Sequence, residues 1–147
     1  MTGFNHAVSG GLIGRFLPLP LAIPAALASH FVLDSLPHHG IPHHLRDESP
    51  GWRTFYVLDF VATLVLGILA ISWHRYDMFV CGLVACSPDL LWVARIIRTR
   101  SFDLSDNKHW FTKWHVRIQR YERPWGLWVE MPLAGVLFYF VWRYGSR

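Results

Sequence analysis

The chain has 147 residues, enough for one domain, and fourteen Lys and Arg against ten Asp and Glu give it a net charge of +4. It is 52% hydrophobic and only 16% charged, and its apolar residues gather in long runs, which argues against a soluble core and for an integral membrane protein. Eight of the fourteen basic residues fall between Arg95 and Arg123, a positive-inside signal and not a nucleic-acid footprint. Cys81 and Cys86 lie five apart in one apolar segment, so they neither bridge within a helix nor form a metal finger.

The first apolar segment covers residues 5–17, with Gly10, Gly11 and Gly14 giving it a small face suited to close helix packing. No basic leader or small-residue cleavage site precedes it, so it is expected to stay in the mature protein. Pro18 and Pro20 end it, and a second segment, residues 21–36, completes a membrane hairpin. That second segment organises the chain. It carries His30 and Asp34 one turn apart on one helical face, then Pro37 as a stop and His38 and His39 at its mouth.

A polar loop rich in His and charge leads to the third segment, residues 54–73, broken by Asp59. The fourth, residues 78–97, contains Ser87-Pro88-Asp89, where proline should kink the helix. Residues 106–122 can form an amphipathic helix at the membrane surface, with Trp110, Trp114, Ile118 and Tyr121 as its apolar stripe and His115 beside it. Pro124 opens the last segment, residues 125–142, which carries Glu130. The expected fold is therefore all-α: one membrane domain of about five segments plus one interfacial helix.

Placing the basic stretch in the cytoplasm puts the N-terminus and the 98–123 region inside, with an inner-membrane, multi-pass topology. His6, His30, Asp34, His38, Asp59, Asp89, His115 and Glu130 then all fall in the cytoplasmic half of the bilayer. A carboxylate at mid-membrane costs about 2.5–3.5 kcal/mol, and a shared cation would relieve several such costs at once. Carboxylates and imidazoles in these numbers match zinc first, with manganese or iron as alternatives, as one or two ions. The expected ligands are His6, His30, Asp34, His38, Asp89 and His115, with Asp59 or Glu130 orienting or deprotonating the attacking water. No G-x-S-x-G or phosphate-loop pattern offers a rival nucleophile. Lys108, Lys113, Arg117 and Arg120 would attract an anionic headgroup, and the expected substrate is a phosphoester of a lipid or other amphiphile.

The pattern His6, His30-x3-Asp34 with Leu36-Pro37-His38, Ser87-Pro88-Asp89 and then His115 resembles the small bacterial inner-membrane proteins grouped as membrane-bound metal-dependent hydrolases. The His-x3-Asp helix is also similar to one in zinc-dependent phospholipase C. The resemblance implies a metal-dependent hydrolase. It departs in one place: that family often carries Thr-His-Ser after an Asp-x-Asp, and here Phe111-Thr112-Lys113-Trp114-His115 stands instead. Other readings stay open at this point. His30 and Asp34 can pair without metal, Asp59 can cap a helix or pair with Arg53, and Glu130 can join an ion pair. The same ligands would also serve a metal or proton transporter, and the basic helix would serve a non-catalytic interaction module.

Overall fold

The computed structural model describes residues 1–103 and 109–146. Among them, α1 (Gly3–Phe16), α2 (Leu19–Asp34), α3 (Pro50–Ser72), α4 (Tyr76–Cys86), α5 (Leu90–Thr99), α6 (Trp110–Ile118) and α7 (Leu127–Gly145) form a helical bundle. Its one departure from an all-α fold is small. β1 (His38–His39) pairs in parallel with β2 (Glu122–Arg123), joining the loop after α2 to the loop after α6.

Three stretches are long and apolar enough to cross a membrane: Pro50–Ser72, Tyr76–Thr99 and Pro124–Gly145. The count of five crossings does not carry over to the structure. α1 and α2 have 14 and 16 residues. At 1.5 Å per residue they reach only about 21 and 24 Å, short of the roughly 30 Å hydrocarbon core. The Tyr76–Thr99 stretch is not one continuous α-helix either. Ser87–Asp89 forms a 3₁₀ turn between α4 and α5, because Pro88 has no N–H to continue the ladder. The outer face of α3 is apolar and uncovered, with Leu58 at 63% and Ile68 at 65% exposure, as a lipid-facing helix requires. The surface helix is shorter than the 106–122 expected from the sequence; residues 104–108, Lys108 among them, lie outside the described residues.

α1 is the hub, packed against α2, α3, α4 and α7. Its glycines make this possible. A Cβ on Gly10 would stand 2.4 Å from the Cys81 carbonyl oxygen, and one on Gly14 would stand 2.4 Å from that of Asp77. With no hydrophobic drive between helices in lipid, close backbone approach is what holds α1 to α4. An apolar cluster of Val8, Leu66, Ala70, Met78 and Val141 fills one end of the bundle. The other end is polar inside: Asn5, His6, His30, Asp34, His38, Arg46, Thr112, His115 and Glu130 are all buried.

Two termini-related anchors hold that polar end. The first N–H groups of a helix have no partner within it. Here Asp59 Oδ2 and Oδ1 accept from Gly3 and Phe4 N–H, each at 2.9 Å, and Glu130 Oε1 accepts from Thr2 N–H at 2.5 Å. The remaining Glu130 oxygen accepts from His39 N–H at 3.0 Å. Carboxylates from α3 and α7 thus cap α1, with the sign its dipole favours.

Gly10→Leu should disrupt the α1–α4 contact and cost about 3 kcal/mol or more, beyond ordinary overpacking, because the clash is with backbone. Gly135→Ala, whose Cβ meets nothing within 4 Å, should leave stability unchanged. Thermal unfolding of the detergent-solubilised variants checks both.

Candidate metal centre

Asp34 is the centre of the polar end. It is the last residue of α2, and it has no exposed side-chain surface. Its Oδ1 lies 3.1 Å from His6 Nε2, and its Oδ2 lies 2.6 Å from His115 Nε2 and 3.2 Å from His30 Nε2. Gln119 Nε2 donates to the same Oδ2 at 3.0 Å. Asp89 approaches from the 3₁₀ turn, with its carboxylate oxygens 3.8 Å from His6 Nε2 and 3.8 Å from His30 Nε2. His30, Asp34, Asp89 and His115 each offer one ligand atom, and those four atoms lie within 4.8 Å of one another, so they could hold a metal ion.

Each ligand reaches this point for a local reason. His30 and Asp34 are one helical turn apart, so both leave α2 on the same side. Pro88 turns the chain out of α4 just before Asp89. α6 lays Phe111, Thr112, His115 and Gln119 against the bundle, while Trp110 stays 72% exposed. The expected stripe of Trp110 and Trp114 therefore faces outward, and the inward face of α6 is the one carrying His115.

Three observations test the fit of a cation. First, His30 Nδ1 lies 2.8 Å from the Ala85 carbonyl, which can only accept, so the ring proton sits on Nδ1 and the Nε2 lone pair faces the cluster. Second, His30 Nε2 and His115 Nε2 are 3.0 Å apart, while His115 Nε2 also lies 2.6 Å from Asp34. One proton on His115 Nε2 serves only one of these acceptors; a cation among them serves all. Third, a nitrogen donor already lies at this point: the buried Met1 nitrogen is 2.5 Å from Asp34 Oδ1. The donor set of two imidazoles and two carboxylates suits a divalent transition metal. His115 lacks the support that His30 has, since its buried Nδ1 has no hydrogen-bond partner among the described residues. Its ring is instead held by Phe31, Phe111 and Trp92.

Four of the expected site residues come together as a ligand group, and four stand apart from it. His6 is the nearest of the latter: it touches both carboxylates and stacks on His30 with ring centroids 4.0 Å apart. His38 is buried, but its Nδ1 faces the Leu36 carbonyl at 2.8 Å and it lies outside the four-residue group. Asp59 and Glu130, expected to act on the attacking water, have all their oxygens committed to backbone amides. Their placement inside the bundle has a structural cause, the capping of α1.

Sequence reasoning missed Gln119 and Arg46. Gln119 follows His115 by four residues, a spacing that places both on one helical face and was available to read. Arg46 carried no such signal. It is 3% exposed, pairs with Glu122 at 2.6 Å, donates from Nε to the Ile41 carbonyl and covers the Trp52 ring. Burial pushes the Glu122 carboxyl up, against the opposing pull of Arg46. Burial, then Arg46, pushes the neighbouring His43 down to about 4, so this imidazole is neutral at pH 7.

The capping role predicts a separation of effects. Asp59→Ala and Glu130→Ala should lower stability by about 1–3 kcal/mol each through unsatisfied amides. Asp59→Asn and Glu130→Gln should recover part of it and keep near-normal metal content, measured by mass spectrometry of the purified protein. No protein-family model, curated protein or solved structure matches this chain.

Proposed function

We propose that this protein is a membrane-embedded, metal-dependent hydrolase acting on a phosphoester of a lipid or similar amphiphile. One observation carries the reading: two imidazoles and two carboxylates from separate parts of the chain converge within 4.8 Å inside an apolar bundle. Such a group is costly to keep without a cation, and costly intramembrane groups are functional by default. The resemblance to the membrane-bound metal-dependent hydrolases points the same way.

His30, Asp34, Asp89 and His115 hold the metal, which is zinc in the first instance, with manganese or iron as alternatives. When bound, a divalent cation supplies Lewis acidity toward a phosphoryl oxygen and acidifies water near neutral pH. Asp89 is the ligand on the open side, with 24% of its side chain exposed against none for the other three. His6, whose Nε2 adjoins both carboxylates, positions Asp34 and Asp89. Gln119 orients Asp34. Asp59 and Glu130 contribute by fixing α1, and so His6, from behind.

The α1–α2 pair enters the bilayer as a hairpin, and the basic residues of α5 and α6 face the cytoplasm of a bacterial inner membrane. A transporter with the same ligands would need polar groups through the far half of the bundle. Among the described residues, the far end is the apolar Leu66, Ala70, Met78 and Val141 cluster.

His30→Ala with Asp34→Ala should remove the bound metal and lower phosphoester hydrolysis about 100-fold or more, as should a chelator. Unchanged metal content in the double variant would remove the reading, and hydrolysis indifferent to chelator would separate binding from catalysis. A single cysteine at Arg117, in a chain without Cys81 and Cys86, should be labelled only from the cytoplasmic side of intact cells.

A further inference from the structure

A groove of about 710 Å³ runs between α3 and the α4–α5 pair, within the size range of small-molecule sites. Its polar end is bounded by Asp89, Arg46, Gln119 and Glu122, and its deep end by Leu66, Ala70, Met78 and Val141. Between the levels of Asp59 and Ala70 it follows α3 for roughly 17 Å, at 1.5 Å per residue. Its walls between these ends are almost wholly apolar. Phe60, Leu64, Leu83 and Leu90 line it and are also among the exposed residues of the bundle, so it opens sideways toward lipid.

The groove and the ligand cluster share one residue. His30, Asp34 and His115 have no exposed side-chain surface; Asp89 does, and Asp89 lines the groove. The open side of the cluster is therefore the polar end of the groove.

We infer that the groove holds one hydrocarbon tail of an anionic phosphate-headed amphiphile, entering from the bilayer, with its phosphate between the metal-bearing cluster and Arg46. This deepens the hydrolase reading and rests on it for the headgroup. The charge pattern supports that occupant. A cation at the cluster and the Arg46 guanidinium, which pairs with Glu122 at the mouth, suit a phosphate monoester, and the walls beyond them are apolar apart from Asp59 and Thr63. A soluble phosphoester would leave the deep end without a partner. The lateral opening suits a ligand delivered within the membrane.

Gly67 lies in this groove, and a Cβ there would meet the Phe79 ring at 3.5 Å, an ordinary contact. Gly67→Phe can therefore fill the groove while the helix, freed of a glycine, is not weakened. Leu83→Trp, from the opposite wall, is the second variant.

The test uses the full chain, loaded with zinc, in phosphatidylcholine nanodiscs. Lysophosphatidate with a photoreactive diazirine in its tail is the binding probe. Adducts are expected at Thr63, Leu64 and Leu83, competed by palmitoyl lysophosphatidate and reduced roughly tenfold or more in both variants, with zinc content unchanged. Adducts spread over Val61, Val65 and Ile68 on the outer face, equal in wild type and variants, would overturn the groove. In hydrolysis, the variants should lose activity on palmitoyl lysophosphatidate and keep it on butyl phosphate. Equal loss on both esters would overturn the tail assignment. If neither ester is cleaved while the competed adducts persist, the groove stands and the hydrolase reading falls.

Discussion

A carboxylate with no surface of its own, ringed by three imidazoles inside an apolar bundle, is the constraint on which the rest depends. Removing such a group from water costs several kcal/mol unless opposite charge and hydrogen bonds replace the solvent. Around Asp34, His6, His30 and His115 converge on its two oxygens, Gln119 donates to one of them, and the Met1 nitrogen lies against the other. The surrounding imidazoles are themselves buried, and His30 Nε2 lies 3.0 Å from His115 Nε2 and 3.2 Å from Asp34 Oδ2. Of these groups, His30, Asp34 and His115 form with Asp89 a donor set that could hold a metal ion.

Holding these groups together falls to α1. It is short and rich in glycine, so it contributes little apolar surface of its own. It lies so close to α4 that no side chain fits at Gly10 or Gly14. At its N-terminus, carboxylates from α3 and α7 satisfy the amides of Thr2, Gly3 and Phe4. The buried Glu130 and the half-buried Asp59 are thereby satisfied by helix amides and dipole. His6 follows within one turn of these caps, so its position against Asp34 inherits their rigidity. The same glycine packing aligns Ala85 with His30, whose Nδ1–H it fixes through its carbonyl.

The ends of the bundle divide the work. One end is apolar and seals the interior; the other gathers every buried polar side chain described above. A groove joins them, polar where it meets Asp89 and hydrocarbon-like beyond. The broken α4–α5 helix creates this arrangement. Pro88 interrupts the span at the depth where Asp89 must turn toward His30, and α5 then carries Val93 and Ile96 along the groove wall. An unbroken helix would fill this region with its own regular face.

Much was readable from residue order alone. Hydrophobic runs show where helices lie, since a helix in lipid satisfies its own backbone and needs only apolar side chains outside. The one-turn spacing of His30 and Asp34, the proline before Asp89 and the polar residues confined to one depth pointed to six candidate ligands, and four of them, His30, Asp34, Asp89 and His115, lie together while His6 and His38 fall outside the group. Three matters were decided only by tertiary structure. The number of full crossings depends on helix length after caps and loops are set, and α1 and α2 proved too short. The roles of Asp59 and Glu130 depend on which amides lie opposite, and an isolated acid in an apolar run looks the same whether it caps a neighbour or faces a site. The inward face of α6 was chosen by His115 reaching Asp34, while Trp110 stays exposed and Trp114 lies against Phe31. Local sequence records what a side chain can do. Its partner, often a hundred residues away, selects which of those things it does.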